Sequence, residues 1–372
     1  MLKVGITGQA GFVGKHLYNT LGLFPDEFMR IDFLKEFFED ENQIDAFVSE
    51  CDVIVHLAAM NRHTDPQVIY DTNVGLAQKL THSLIRTNSK AHVIFSSSTQ
   101  EERDNLYGKS KKEGREMMVE WAKNSGGNFT GMIIPNVFGP FGLPNYNSVV
   151  ATFCHKLSHG EIPKIDVDGD LKLIYVAELV NAIIAEIRSG ASKPEIYVPH
   201  TSESKVSQIL SLLENYKNQY QELGIIPELN SMFEVNLFNT FRCYMDIAGH
   251  FPVKFTQHTD PRGAFVEVIR LNVGGQVSFS TTVPGITRGN HFHTRKIERF
   301  AVIKGKALIQ LRLIGTEEVL DFYLSGDEPA YVDMPVWYTH NIKNIGDEEL
   351  YTIFWINEFY DPNDPDTYFE NV

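Results

Sequence analysis

"LKVGITGQAGFVGKHLYNTLG", Leu2 to Gly22, decides how the first half of the chain folds. Leu2–Thr7 is a short apolar run and reads as a buried strand. "GFVGKHLYNTLG" then takes helical spacing and ends at Gly22. At the junction, Gly8, Gly11 and Gly14 form GxxGxxG. Glycines there permit a tight turn and close backbone approach, so that helix N–H groups meet a pyrophosphate. Alone the pattern is weak, since a ligand-free βα turn would look the same. The strand–turn–helix setting strengthens it.

Working outward, "FMRID" (28–32), "CDVIVHLAA" (51–59) and "AHVIFSSS" (91–98) read as further strands, each followed by a helical stretch. Near-continuous apolar strands alternating with helices imply a parallel sheet covered on both faces, a Rossmann-type doubly wound α/β fold. This texture persists to "EIYVPH" and a helix-like run from Ser204 to Gly224. After about residue 245 it changes. "AFVEVIRLN", "QVSFSTTV", "ERFAVIKG", "KALIQLRLI", "EVLDFYL" and "LYTIFWINEF" are short, β-branched or aromatic, and separated by turn residues. They predict an antiparallel all-β barrel or sandwich. "DIAGHFPVK" marks the boundary, which gives domains 1–245 and 246–372.

Composition limits the function. A chain of 372 residues, 43% apolar, supports two well-formed cores. The formal charge of −15 disfavours a nucleic-acid partner but leaves room for a small anionic substrate held by a few local groups. Cys51, Cys154 and Cys243 form no CxxC pair and read as reduced thiols. No apolar run approaches the roughly 20 residues that span a bilayer, and glycines interrupt the N-terminus too early for a signal peptide. The expectation is a soluble cytoplasmic protein with no membrane partner.

Asp32 ends the second strand, where an acid accepts hydrogen bonds from an adenosine ribose. Arg30 shares its strand face. In "YGKSK", Tyr107 and Lys111 are four apart and share a helix face. An ammonium beside a phenol favours phenolate and makes tyrosine a usable proton donor and acceptor. "TGQAGFVG", "HLAA" (56–59), "NVGLAQKL", "SSS" (96–98), "YGKSK" and "PNVFGP" (135–140) together resemble the extended short-chain dehydrogenase/reductase family of nucleotide-sugar enzymes. The resemblance implies that Gly8, Gly11, Phe12, Val13, Gly14, Asp32, Leu57, Ala58 and Ala59 line the cofactor. Ser98 would hydrogen-bond the substrate oxygen, Tyr107 would be the general acid, and Lys111 would hold the nicotinamide ribose. Asn136, Asn145 and Asn147 would line the sugar-nucleotide side. The 4,6-dehydratases of this family carry an Asp–Glu pair after the catalytic hydroxyl. Thr99 and Gln100 stand there, so elimination of water is not expected.

In the C-terminal half, "GITRGNHFHTRKIERFAVIKG" fits G-x5-H-x-H-x4-E-x6-G, with His291, His293 and Glu298 inside it. Residues i and i+2 of a strand point the same way, so both imidazoles enter one interior. "PVWYTHNIKN" adds His340, and three histidines with one carboxylate make a four-ligand set for a divalent ion. The pattern resembles the cupin superfamily, with Trp337 where its second motif usually has glycine. "DPRGAFVEV" followed by "ITRGNHFH" is similar to dTDP-4-keto-sugar epimerases. A cupin base is left open among Asp260, Lys296 and Tyr338.

Both halves in this order resemble bifunctional capsular polysaccharide enzymes, the UDP-2-acetamido-2,6-dideoxy-hexulose 3-epimerase/4-reductases. "PNYNSVVATFCHK", "PGITRGNHFH", "PVWYTHNI" and "DPNDPDTYF" carry the match. It implies a UDP-sugar substrate, zinc, NADPH and a homodimer. Asp32 argues the other way, towards NADH, because a carboxylate repels a 2′-phosphate. NADPH is the expectation and NADH the alternative. Two rivals are a simple keto-sugar reductase with a non-catalytic cupin module, and an epimerase that recycles bound NAD at C4.

Overall fold

A computed structural model describes residues 1–261 and 263–372. Two compact units emerge, one of residues 1–152 and 167–206, the other of 153–166 and 207–372. The division differs from a boundary at 245/246. Residues 207–245 pack with the C-terminal sheets, held there by buried polar bonds given below.

In the first unit, β1 (Leu2–Thr7), β2 (Phe28–Ile31), β3 (Val53–His56), β4 (His92–Ser98), β5 (Phe129–Ile134) and β8 (Lys193–Tyr197) form one sheet in the order β2-β1-β3-β4-β5-β8. Every pairing in it is parallel. Alternate residues serve opposite cores. Val53, Val55 and Ile94 pack with Leu17 and Leu21 of α1 (Phe12–Leu21) and with Ile183 and Ile184 of α6 (Val176–Ser189). Ile54, Val93 and Phe95 pack with Phe47 of α2 (Glu41–Glu50), Leu80 and Leu84 of α3 (Pro66–Arg86), and Met118 and Trp121 of α4 (Leu106–Ser125). Two buried faces explain why these strands read as unbroken apolar runs, each such side chain contributing roughly 1.5–3 kcal/mol. The sequence reading missed a second sheet, β6 (Asn136–Phe138), β7 (Asp170–Tyr175) and β9 (Ser202–Lys205). β9 also takes the start of the run expected to be helical from Ser204; α7 spans Val206–Tyr216 and a wider π turn follows over Lys217–Glu222.

The second unit carries two antiparallel five-stranded sheets. β10 (Val253–Lys254), β18 (Ala330–Met334), β15 (Glu298–Lys304), β20 (Leu350–Ile356) and β13 (Gln276–Thr282) make the first, in that order. β17 (Val319–Ser325), β16 (Lys306–Leu313), β19 (Tyr338–Asn344), β14 (Thr287–Phe292) and β21 (Tyr368–Phe369) make the second. β11 (Gln257–Asp260) and β12 (Gly263–Val266) form a separate hairpin. Among the described residues no strand pairing joins the two sheets, so of the barrel or sandwich expected from the sequence the strand pairing gives two separate antiparallel sheets rather than a closed barrel. The extended strand read over "AFVEVIRLN" is confined to β12. Arg262, within the quoted "DPRGAFVEV", lies outside the described residues.

α8 (Met232–Arg242) belongs to this second unit. Asn239 donates to the Arg295 carbonyl at 2.8 Å, and Arg242 to the Met334 carbonyl at 2.8 Å. Tyr220 donates to Asp333 at 2.6 Å, and Arg299 grips the same carboxylate through two bonds of 2.7 and 2.9 Å. All these side chains are buried. The bonds from Tyr220, Asn239 and Arg242 hold residues 207–245 to these strands, and losing one partner leaves a buried polar group unsatisfied at about 1–3 kcal/mol.

Candidate active site and metal centre

The glycine turn is as tight as its sequence suggests. Gly8 has φ +79°, and a Cβ there would sit 2.7 Å from the Ala58 nitrogen. A Cβ on Gly14 would sit 2.2 Å from the Gly8 carbonyl oxygen. Leu57 and Ala58 therefore run directly past the turn, with Ala59 next in the chain. Gly11 is the N-cap of α1 and supplies no side chain to its first N–H groups, those of Phe12, Val13 and Gly14. Uncapped N–H groups at a helix start suit a pyrophosphate, so the turn fits a dinucleotide. Asp32 accepts from the Tyr18 hydroxyl at 2.7 Å, while the Arg30 guanidinium lies 4.3 Å from the centre of the same ring. Arg30 and Asp32 are both exposed and share one aromatic neighbour.

Ser98 closes β4 and caps the short 3₁₀ turn Thr99–Glu102, its hydroxyl accepting from the Gln100 N–H at 3.2 Å. Tyr107 and Lys111 stand on α4, one turn apart. The Tyr107 phenol is pushed up to about 12, first by burial and then by Tyr146, with a hydrogen bond to Ser98 partly offsetting them. Lys111 is pulled down to about 8 by burial, with Glu101 working against that fall. The Lys111 ammonium lies 4.9 Å from the centre of the Phe95 ring. The expected lowering of the phenol by the lysine is not what this protein shows: burial and Tyr146 raise it, and the group that lowers it is Ser98. Ser98 and Tyr107 are brought together.

The asparagines fare differently. Asn136 is exposed and donates to the Lys172 carbonyl at 3.2 Å. Asn145 is exposed, has φ +58°, and its carbonyl accepts from Arg62 at 3.0 Å. Asn147 is exposed. The residue of this loop that reaches the site is Tyr146, whose hydroxyl accepts from the Asn61 N–H at 3.1 Å and acts on Tyr107. Its only signal was position within "PNYNS".

In the second unit, His291 on β14, His293 just after it, Glu298 opening β15 and His340 on β19 bring one ligand atom each within 4.8 Å of all the others. His293 and His340 each place Nε2 at 3.1 Å from the same Glu298 oxygen. Their Nδ1 atoms face the carbonyls of Asp366 at 2.5 Å and Tyr338 at 3.1 Å. A carbonyl can only accept, so each Nδ1 carries the proton and each Nε2 offers a lone pair to the centre. Burial, then His340 and His293, push His291 down to about 4 and keep it neutral. Burial opposes charge on Glu298, yet the close approach of His293 and His340 to its carboxylate holds it well below the carboxylate range. Among the described residues His340 Nε2 is buried without an aligned hydrogen bond, as a nitrogen facing an ion would be. This donor set fits a divalent cation.

Asp366, in the tail, braces this loop and was not singled out from the sequence. One oxygen accepts from the Thr294 N–H and hydroxyl, the other from the N–H groups of Arg295 and Lys296, at 2.7–3.0 Å. Trp337 has φ +65°, which explains why glycine suits this position; its buried ring stacks on Phe292 at 5.5 Å. Of the three base candidates, Asp260 is exposed on the β11–β12 hairpin. Lys296 is buried and donates to the Pro365 carbonyl at 2.6 Å. Burial pushes the Tyr338 phenol up.

Residues 4–198 match the NAD dependent epimerase/dehydratase family, and residues 258–368 the polysaccharide biosynthesis C-terminal domain. The chain is 31% identical to the UDP-2-acetamido-2,6-beta-L-arabino-hexul-4-ose reductase of Pseudomonas aeruginosa, over 99% of this chain and 98% of that one. It is similar to the crystal structure of the capsular polysaccharide assembling protein CapF from Staphylococcus aureus, with 35% identity, full coverage of both chains and a TM-score of 0.63. The spore coat polysaccharide biosynthesis protein SpsL of Bacillus subtilis is 27% identical over 30% of this chain and 82% of its own. No helix among the described residues is long and apolar enough to cross a membrane.

Proposed function

The chain belongs to the NAD dependent epimerase/dehydratase family, and from that premise we propose that it carries out two consecutive reactions on one keto sugar. The substrate in this reading is a UDP-2-acetamido-2,6-dideoxy-4-hexulose. The C-terminal unit, acting as a cupin, inverts C3. The N-terminal unit then reduces the C4 ketone, giving a product of the 2-acetamido-2,6-dideoxy-L-talose type, a precursor of UDP-N-acetyl-L-fucosamine for capsule or O-antigen. The observation that carries the proposal is the presence of two chemically unlike residue sets in one chain: Ser98, Tyr107 and Lys111, and the gathered His291, His293, Glu298 and His340.

The order follows from carbon acidity. A hydrogen at C3 is acidic only while C4 is a ketone, because the carbanion then delocalises onto oxygen. Reduction ends that acidity, so epimerisation comes first. One chain carrying both sites keeps a labile keto sugar near each. NADPH supplies the hydride, and zinc supplies positive charge or braces the sheets. Ser98 holds the C4 oxygen, and Tyr107 gives it a proton as it becomes an alkoxide. A phenol held near 12 retains its proton until that moment. Lys111 holds the nicotinamide ribose. Elimination lacks its acid and base: beyond Thr99 and Gln100 the next carboxylate is Glu101, gripped by Arg115 at 2.7 and 3.0 Å. A homodimer and a cytoplasmic location belong to the same reading.

The test is NMR of the product formed from the 4-keto UDP-sugar in deuterated water with NADPH. The expected product carries deuterium at C3 and a new hydroxyl at C4, with one NADPH consumed per molecule. A reduced product without deuterium leaves the simple reductase. Deuterated or epimerised sugar without net NADPH consumption leaves the epimerase that recycles its coenzyme.

A further inference from the structure

Tyr107, Lys111 and Arg115 are spaced by four along α4, so they line one helical face. Below the first two, Arg115 reaches back to Glu101 in the 3₁₀ turn that follows Ser98. Its Nε and Nη2 donate to the two carboxylate oxygens at 3.0 and 2.7 Å, and both side chains are about nine-tenths buried. The Ser97 hydroxyl donates to the same carboxylate. The turn also lies against α4 with no clearance: a Cβ on Gly108 would sit 1.9 Å from the Gln100 carbonyl oxygen. The carboxylate thus ties Ser97 and the turn to α4 at Arg115, while the Gly108 contact seats the same turn, which Ser98 caps, against the start of α4 beside Tyr107.

We infer that Glu101, clamped by Arg115 and Ser97, is a positioning residue for the reduction: it supplies the negative charge opposite Lys111 and fixes Ser98 against Tyr107. The inference rests on the reductase reading for its consequence, not for its geometry. A buried lysine loses its charge readily, because burial disfavours the ion. The groups facing Lys111 explain why an anion is required there. From β3 comes His56, buried, hydrogen-bonded to Thr7 and held neutral near 3 by burial and by Lys111 itself. From β4 comes the Phe95 ring, which is uncharged. On α4 stand the neutral Tyr107 phenol and the cation of Arg115. Glu101 is the carboxylate that raises Lys111, which without it would fall further below about 8. A lysine neutral at working pH would lose its ionic hold on the ribose hydroxyls and on the electron-rich oxygens beside them.

The experiment follows the Lys111 titration by NMR in lysine-labelled full-length protein, with the resonance identified by its loss in Lys111→Arg. In Glu101→Gln the titration should move to lower pH by about one unit or more, the usual effect of removing a near opposite charge. Glu101→Asp should keep it near the wild-type value. Arg115→Met, which frees the carboxylate from its competing cation, should move it upward. The alkaline limb of kcat for keto-sugar reduction should follow the Lys111 titration in each variant. A Lys111 titration unchanged in Glu101→Gln overturns the inference, even if the variant melts earlier. Because the titration needs no turnover, the expected shift in the variants together with a wild-type protein that reduces no keto sugar would contradict the reductase reading instead.

Discussion

The two candidate sites are built on opposite plans. At the glycine turn most of the binding surface is backbone: uncapped N–H groups of α1 and the close-lying chain at Ala58, with Tyr107 and Lys111 tuned by burial. Those two side chains stand one turn apart on α4, and each is perturbed by other neighbours. In the second unit four side chains already converge within 4.8 Å, and two of the rings are anchored through their second nitrogens. The difference teaches where each site is vulnerable. A site of backbone and one helical face tolerates the loss of most side chains around it. A site of converging donors depends on every one of them.

Breaking that contrast gives its largest effect at the second site. His291→Ala removes one ligand and should empty the centre, leaving His293, His340 and Glu298 facing one another. Metal content by elemental analysis should fall from about one ion per chain to none, with a melting temperature lower by roughly 5 °C or more. Wild-type protein purified without chelator and free of metal would contradict the centre itself. The smallest effect belongs to the glycine turn, where one exposed acid bears on coenzyme choice. NADPH should be preferred, because Arg30 stands beside Asp32 across the Tyr18 ring. Removing the acid in Asp32→Ala should widen the preference about tenfold, or about 1.4 kcal/mol. A kcat/KM for NADH ten or more times that for NADPH in the wild type would reverse the assignment.

How far the sequence could be read follows the same division. The central strands of the parallel sheet were legible because both their faces are buried, which leaves an unbroken apolar run such as Val53–Val55. The approach of His291 and His293 was legible because i and i+2 on a strand need no knowledge of the rest of the fold, whereas Glu298 and His340 join them only through the motif spacing. Trp337 was recognised as standing where glycine is usual, and its positive φ supplies the reason. Contacts between distant segments were not legible. Asp366 lies 73 residues from His293, Glu101 lies 14 from Arg115, and Tyr146 lies 85 from Asn61. Nothing local marks such pairs. Residues 207–245 illustrate the same limit at larger scale: a helical period tells which face is buried, not against what. Their packing with the C-terminal sheets also means that a cut at 245/246 would sever Tyr220, Asn239 and Arg242 from their partners. Point variants of the full chain are therefore the cleaner way to separate two activities.

The central claim is that the two chemistries use separate groups, and Tyr107→Phe tests it most directly. The variant should lose reduction by about 10²–10⁴-fold, as removal of a placed general acid does. Incubated with the 4-keto UDP-sugar in deuterated water, it should still exchange C3 hydrogen for deuterium at the wild-type rate, whereas His291→Ala should not. Absence of C3 deuterium above the uncatalysed blank in Tyr107→Phe, or its full retention in His291→Ala, would contradict the account.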